Sequence, residues 1–173
     1  LPPSHCRDRL PDVGTADVIY SGGTPTVSEA GLASGITEDR AGPEISNDRF
    51  LVDRGACLIS DCALSVIATV VSRPTHDRAI LDAGSKTLTS DLLGLRGYGM
   101  IPAYPDAEIT GLSEEHGHVE LRNSSGRPKI GKKVQVVAKH ACPASNFTDQ
   151  VIFHPWTEVV THEAVAGVGC CTW

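Results

Sequence analysis

The chain has 173 residues, a formal net charge of −6 and a hydrophobic content of 40%. This length suits one domain with a sizeable core, and the composition is typical of a soluble globular protein. The acidic charge balance argues against a nucleic-acid partner. No apolar run approaches the roughly 20 residues of a membrane-spanning helix, and no signal peptide is visible. We therefore expect a cytoplasmic protein with no membrane partner, whose six cysteines are reduced.

Strands and turns are favoured over long helices, since seventeen glycines and eleven prolines accompany many β-branched residues. A β-branched run at residues 16–20 leads into a turn at residues 21–26 that contains Gly22, Gly23 and Thr24. Such a turn is a common cradle for phosphate, because glycine lets backbone N–H groups approach an anion. An ordinary turn is the alternative interpretation.

The middle of the chain has the pattern of a hairpin. Residues 57–71 form the most apolar segment, and their β-branched second half predicts a buried strand that ends in a turn at residues 72–75. Residues 78–84 predict the second strand. Cys57 and Cys62 are most simply core thiols.

Two further strands are predicted at residues 107–112 and 118–122, around a polar turn. Another strand is predicted within residues 132–143, where apolar and polar residues alternate up to His140 and Cys142. In an extended chain, residues i and i+2 point to the same side, with their Cα atoms roughly 6 to 7 Å apart. Imidazole and thiolate groups are good zinc ligands. The sequence therefore predicts two zinc ligands, side by side at a strand end.

Three stretches together resemble one family: residues 81–91, 112–118 and 140–146, with the sequences LDAGSKTLTSD, LSEEHGH and HACPASN. They look like the C-terminal β-domain of the D-threonine aldolase and D-serine dehydratase family. Its members are pyridoxal-phosphate enzymes of the alanine-racemase-like fold type, with a metal beside the cofactor. The resemblance implies a mainly β domain over residues 49–173. Its fold would be an antiparallel β-barrel or sandwich with few short helices.

The resemblance also implies a metal site. His140 and Cys142 stand where the family places its two metal ligands, and the His-x-Cys form resembles its zinc-using D-serine dehydratases. A thiolate favours zinc over the cations that a carboxylate accepts. His116 and His118 are candidate catalytic residues, as acid and base or as groups that orient the site. The alternative is that they are surface side chains.

The part of the family's active site that binds pyridoxal phosphate is represented only partly in this sequence. Residues 1–48 form an extension that resembles the end of the family's (β/α)₈ barrel, in which Gly22, Gly23 and Thr24 correspond to the cofactor-phosphate turn. The rest of that barrel, with the lysine that carries the cofactor, has no counterpart in the sequence. We therefore expect pyridoxal phosphate only if a partner supplies the barrel.

Three hypotheses follow. The first is a zinc-dependent lyase-type domain that acts without its own pyridoxal phosphate on a small β-hydroxy or carbonyl substrate. The second is a fragment or subunit of a pyridoxal-phosphate D-amino-acid dehydratase or aldolase. The third is a non-catalytic relic used for binding or dimerisation. Under each of them, the resemblance implies a homodimer.

Overall fold

The computed structural model describes residues 18–26, 32, 36–40, 42, 45–153 and 161–165. Over these ranges the strands are β1 (Tyr20–Ser21), β2 (Glu38–Asp39), β3 (Val66–Thr75), β4 (Arg78–Leu81), β5 (Gly99–Met100), β6 (Glu108–Leu112), β7 (Gly117–Glu120), β8 (Lys133–Ala138), β9 (Gln150–Phe153) and β10 (Thr161–Ala164). The α-helices of the same ranges are α1 (Arg49–Asp53), α2 (Ser85–Leu88) and α3 (Ala141–Asn146). The predicted mainly β domain with few short helices is confirmed.

Six of the described strands form one antiparallel sheet in the order β5-β8-β3-β4-β7-β6. The sheet curls until its two ends meet, where the Tyr98 N–H beside β5 donates to the Ile109 carbonyl of β6 at 3.0 Å. This contact nearly closes the sheet, and closure protects the edge strands. The predicted antiparallel barrel is therefore confirmed.

The core fills the inside of this barrel. Alternate residues of β3 and β8 point inward, as period-two patterning requires. The buried cluster consists mainly of small and branched apolar side chains: Ala68, Val70, Ala79, Leu81, Ala83, Leu88, Ile101, Ala107, Ile109, Val119, Leu121, Val134, Val136, Ala138 and Ala144.

The predicted hairpin of β3 and β4 is confirmed, but its turn lies later than expected. β3 continues through residues 72–75, which the sequence assigned to the turn, and the chain reverses at His76 and Asp77. Pro74 lies where the register shifts between Ser72 and Thr75. A proline without an N–H is tolerated at such an irregularity.

The predicted extended geometry of His140 and Cys142 is wrong. β8 ends at Ala138, and α3 begins at Ala141, so only His140 has extended backbone, with φ −131° and ψ 111°. Cys142 is the second residue of the helix. Pro143 is the third, where the missing N–H breaks no intrahelical bond.

The segment after β4 lies directly on the turn between β6 and β7. A Cβ atom at Gly84 would lie 2.4 Å from the carbonyl oxygens of Ser113 and Glu114, so only glycine permits this approach. The Ser85 N–H donates to the Ser113 carbonyl at 2.9 Å, and Lys86 Nζ lies 2.6 Å from Glu115. These contacts fix the start of α2.

Two strand pairs lie outside the six-stranded sheet. β1 pairs in parallel with β2, and β9 pairs with β10 in an antiparallel hairpin. The strand predicted at residues 16–20 begins before the described part of the chain, which has β1 from Tyr20. No helix among the described residues is long and apolar enough to cross a membrane.

Candidate metal centre

His140 lies in a hydrogen bond with a carboxylate from a distant part of the chain. Its Nδ1 atom is 2.8 Å from Oδ2 of Asp91, and both side chains are partly exposed. When Nδ1–H donates to a carboxylate, the lone pair remains on Nε2, the atom that a metal then binds. This is the arrangement in which metal-binding histidines commonly occur.

A buried carboxylate fixes the backbone around His140. Asp48 is 2% exposed; its Oδ1 accepts from the Leu51 N–H at 3.0 Å and so caps α1. Its Oδ2 accepts from the Ala141 N–H at 2.9 Å, at the start of α3. The Phe50 N–H also donates to the Lys139 carbonyl at 3.1 Å. Helix α1 and the chain on both sides of His140 are therefore joined.

The chain that carries Asp91 is held by its own contacts. The Asp91 N–H donates to Oγ1 of Thr89 at 2.9 Å. Thr89 and Leu93, on either side, have positive φ values of 64° and 48°, a region that β-branched and bulky residues rarely adopt. Lys139 is 1% exposed, and its ammonium group donates to the Arg96 carbonyl of the same loop at 2.6 Å.

Burial, together with the nearby Arg49 guanidinium, lowers the pKa of the Lys139 ammonium group. Among the described residues, this buried cation donates to a backbone carbonyl, so the contact connects the end of β8 to the loop rather than forming an ion pair. Lys139 thereby ties the residue next to His140 to the segment that carries Asp91.

Asp91 and Cys142 line two different grooves beside α3. The first groove, of about 620 Å³, is lined by Ser85, Lys86, Thr89, Ser90, Asp91 and Phe147. The second, of about 560 Å³, is lined by Gly42, Ser46, Cys142, Pro143, Ser145, Asn146 and Val165. The exposed Cys142 side chain thus opens to solvent on the side of α3 that faces the extension.

The two ligands predicted from the sequence offer a nitrogen and a sulfur donor, which is a combination that suits zinc. The described residues contain no group of three or more His, Cys, Asp or Glu side chains arranged to hold a metal ion. Catalytic zinc sites usually have three protein ligands, so a zinc ion at His140 and Cys142 would need a third ligand from outside this pair.

His116 and His118 lie on the turn between β6 and β7 and in β7 itself. His116 is exposed, and its carbonyl accepts from the Ser113 N–H at 2.8 Å. Nε2 of His118 lies 3.2 Å from the Ser113 hydroxyl. Neither histidine lines one of the two grooves described above. Their catalytic role stays a prediction.

Gly22, Gly23 and Thr24 form the predicted turn between β1 and a 3-10 turn at Thr24–Thr26. A Cβ atom at Gly22 would lie 3.0 Å from the Arg40 carbonyl oxygen, so close packing on the chain after β2 is one reason for this glycine. Oγ1 of Thr24 accepts from the Gly42 N–H at 3.2 Å. Gly42 also lines the Cys142 groove, so the turn contacts a residue at the edge of that groove.

Lysine is the group that pyridoxal phosphate requires. Lys86 pairs with Glu115 and Lys139 with the Arg96 carbonyl, so both lysines near the site are engaged.

Asp91, Asp48 and Lys139 are the residues of this site that sequence reasoning missed. Asp91 is the last residue of the LDAGSKTLTSD stretch. Because this stretch occurs together with the His-x-Cys pair, it could have pointed to Asp91 as a site residue. Asp48 and Lys139 gave no signal, because a polar residue at a strand end or before a short helix is ordinary.

Comparison with known proteins identifies the family of this chain. Residues 63–154, just over half of the chain, match the family model described as a putative serine dehydratase domain. An uncharacterised protein of Mycobacterium tuberculosis is 37% identical over 109 residues, which cover 60% of this chain and 82% of that protein. The D-threonine aldolase of an Arthrobacter species is 34% identical over 139 residues, covering 79% of this chain and 35% of that enzyme.

Solved structures of related enzymes contain a region with the same fold. The D-threonine aldolase of Filomicrobium marinum has a TM-score of 0.78 and 26% identity, covering 95% of this chain and 45% of that chain. The D-threo-3-hydroxyaspartate dehydratase of a Delftia species has a TM-score of 0.73 and 27% identity, covering 87% and 45%. That enzyme has also been solved with alanine in place of a histidine and, in a metal-free form, of a cysteine two positions later. The chain spans less than half the length of these enzymes.

Proposed function

Because the chain belongs to the family of putative serine dehydratase domains, we propose that it is a zinc-dependent lyase-type domain. Its reaction is dehydration, or aldol or retro-aldol cleavage, of a small β-hydroxy or carbonyl substrate. The observation that carries the proposal is the hydrogen bond between Asp91 and His140 at 2.8 Å. His140 lies two residues before Cys142 in the chain. The metal-free form of the Delftia dehydratase with a replaced cysteine supports a thiolate ligand here.

In this proposal, Nε2 of His140 and Sγ of Cys142 would hold a zinc ion. When bound, the ion would supply Lewis acidity at the substrate β-hydroxyl, which would make the hydroxyl a better leaving group or help its deprotonation. The neighbouring Ser85, Thr89 and Ser90 hydroxyls are suited to orient a polar substrate. His116 and His118 remain candidates to move the proton that β-elimination removes from the substrate.

A direct test is zinc binding by the purified chain. We expect one zinc ion per chain by elemental analysis, and an affinity at least about tenfold weaker after His140→Ala or Cys142→Ala, since each variant removes a ligand. His76→Ala is the matched control, because His76 also pairs with an aspartate, Asp77, but on the β3–β4 turn. Absence of zinc after chelator-free purification would contradict the proposal and favour the binding or dimerisation relic.

The second candidate is that the chain is part of a pyridoxal-phosphate enzyme. Two observations favour it: the match to 95% of this chain but 45% of the Filomicrobium aldolase, and the connection of Thr24 to the Cys142 groove through Gly42. In that case, a polypeptide with the missing barrel would supply the lysine and most of the cofactor site.

Activity assays separate the two candidates. The chain would be incubated with D-serine, D-threo-3-hydroxyaspartate and D-threonine, and the release of ammonia or glycine would be measured. Turnover with zinc alone favours the free-standing lyase. Turnover that appears only with pyridoxal phosphate and a barrel-containing partner favours the second candidate. Light scattering on the same samples tests the proposed homodimer.

A further inference from the structure

We propose that Asp91 is the positioning residue of this site and selects the tautomer of His140 that presents Nε2 to a metal. Asp91 is 49 residues before His140 in the chain, and it accepts the Nδ1–H hydrogen bond. The metal-binding part of this inference rests on the proposed function. The tautomer itself does not, because it is a property of the metal-free chain.

The first argument is that the hydrogen bond lies where solvent competes with it. The His140 and Asp91 side chains are 28% and 43% exposed, and partly exposed pairs of this kind contribute little to stability. A pair that served stability alone would not need further hydrogen bonds to hold both residues in place. The chain nevertheless holds both residues through hydrogen bonds to the neighbouring backbone.

The second argument is the conformation around Asp91. Thr89 has φ 64° and ψ 157°, a region that costs a β-branched residue energy and that occurs where other contacts impose it. Its Oγ1 accepts from the Asp91 N–H at 2.9 Å, and Oδ1 of Asp91 accepts from the Leu93 N–H at 3.4 Å. These bonds orient the carboxylate so that Oδ2 remains for His140.

The third argument is that the opposite side of the pair is fixed independently. Asp48 holds the Ala141 N–H at 2.9 Å, directly after His140. Lys139, directly before His140, donates to the Arg96 carbonyl in the loop that follows Asp91. The imidazole and its carboxylate therefore belong to one connected network, which a surface ion pair does not require.

The chemical consequence is a fixed proton. A carboxylate accepts but does not donate, so it stabilises the Nδ1–H form and leaves the Nε2 lone pair for a metal. In an amide at position 91, Oδ1 would keep the Leu93 N–H and Nδ2–H would donate to Nδ1, which stabilises the opposite tautomer and weakens ligation by Nε2. Asp91→Asn therefore changes the preference with almost no change in shape.

The test combines two measurements on Asp91→Asn, with Asp77→Asn as the matched control. Asp77 accepts from the His76 imidazole at 3.0 Å, so the control removes the same kind of carboxylate from the other histidine–aspartate pair. Long-range ¹⁵N–¹H correlation spectra of the metal-free chain at about pH 8 report which imidazole nitrogen carries the proton. Competition with a chromophoric chelator reports the zinc affinity.

We expect Nδ1–H at His140 in the unmodified chain and in Asp77→Asn, and a shift toward Nε2–H in Asp91→Asn. Zinc affinity should fall about 10- to 100-fold in Asp91→Asn, the usual effect of losing such a partner, and stay unchanged in the control. An Nε2–H tautomer in the unmodified chain overturns the inference. So does an Asp91→Asn chain that is folded by circular dichroism and keeps both the tautomer and the affinity. If no variant binds zinc, the proposed function fails, and the spectra alone decide on Asp91.

Discussion

Cys57 and Cys62 lie in the segment after α1, where the Cys62 thiol is 3.9 Å from the Leu58 carbonyl oxygen. Cys62 is 7% exposed, and Cys57 is partly exposed. Burial, and then the neighbouring Cys57, raises the pKa of Cys62 to about 12. A thiol kept neutral in this way is a poor nucleophile. Cys62 is buried as predicted, although it lies outside the main core cluster, and Cys57 is only partly buried.

This raised pKa predicts how stability depends on pH. Between the ordinary value of 9.0 and about 12, the folded chain retains a proton that the unfolded chain has lost, so stability falls as the pH rises through this range. At pH 10 the loss relative to pH 7 should be about 1 kcal/mol. Urea unfolding of the unmodified chain and of Cys62→Ala at both pH values checks this. Equal pH dependence in the two proteins would contradict it.

The candidate metal ligands illustrate the limit of residue-level prediction. His140 and Cys142 were found from their spacing and from the family resemblance. Their geometry was not, since the spacing suggested an extended pair and the chain instead enters α3 at Ala141. A strand pattern does not report where a distant carboxylate, here Asp48, caps the next helix.

At the scale of elements, Asp48 is the residue that joins helices. It caps α1 through Leu51 and accepts from Ala141 at the start of α3. Loss of this one side chain therefore removes the cap of one helix and leaves a buried N–H of another without its partner.

We accordingly expect Asp48→Ala to lower the free energy of unfolding by about 2 to 3 kcal/mol, and to weaken zinc binding because His140 loses its support. Asp61→Ala is the control, since Asp61 accepts from the Leu58 N–H in an exposed turn, and we expect a loss of about 1 kcal/mol or less. Urea titration measures both. Equal losses in the two variants would show that Asp48 does not join the helices.

Strands were predicted well where alternation continues and less well where it stops. The strands at residues 107–112 and 118–122 correspond to β6 and β7, and the hairpin of β3 and β4 was anticipated. The extension of β3 through Pro74 and the short β5 were missed. Proline and a two-residue strand carry little periodic signal, and only pairing with a neighbouring strand makes them part of a sheet.

At the scale of the whole molecule, every member of the buried core cluster lies between residues 68 and 144. The contact between Tyr98 and Ile109 that nearly closes the barrel also lies within that range. The core of the described structure therefore does not draw on β1, β2, β9 or β10.

This predicts that a shortened chain of residues 45–153 folds. We expect a single cooperative thermal transition by circular dichroism, because the core and both partners of the Asp91–His140 pair are retained. Zinc affinity should be kept as well, since Gly42 and Val165 line the Cys142 groove without offering metal ligands. A broad, non-cooperative transition would mean that the flanking segments are needed to stabilise the barrel.

The sequence by itself determined the β class, the strand alternation, the family resemblance and the His-x-Cys pair, because each depends on residue types at short spacing. The tertiary structure decided which distant groups meet: Asp91 with His140 across 49 residues, and Asp48 with Ala141 across 93. Such contacts depend on how the barrel closes and how the loops pack on it. Local patterns carry no record of either, so the tautomer and support of the candidate metal ligand became visible only in the folded chain.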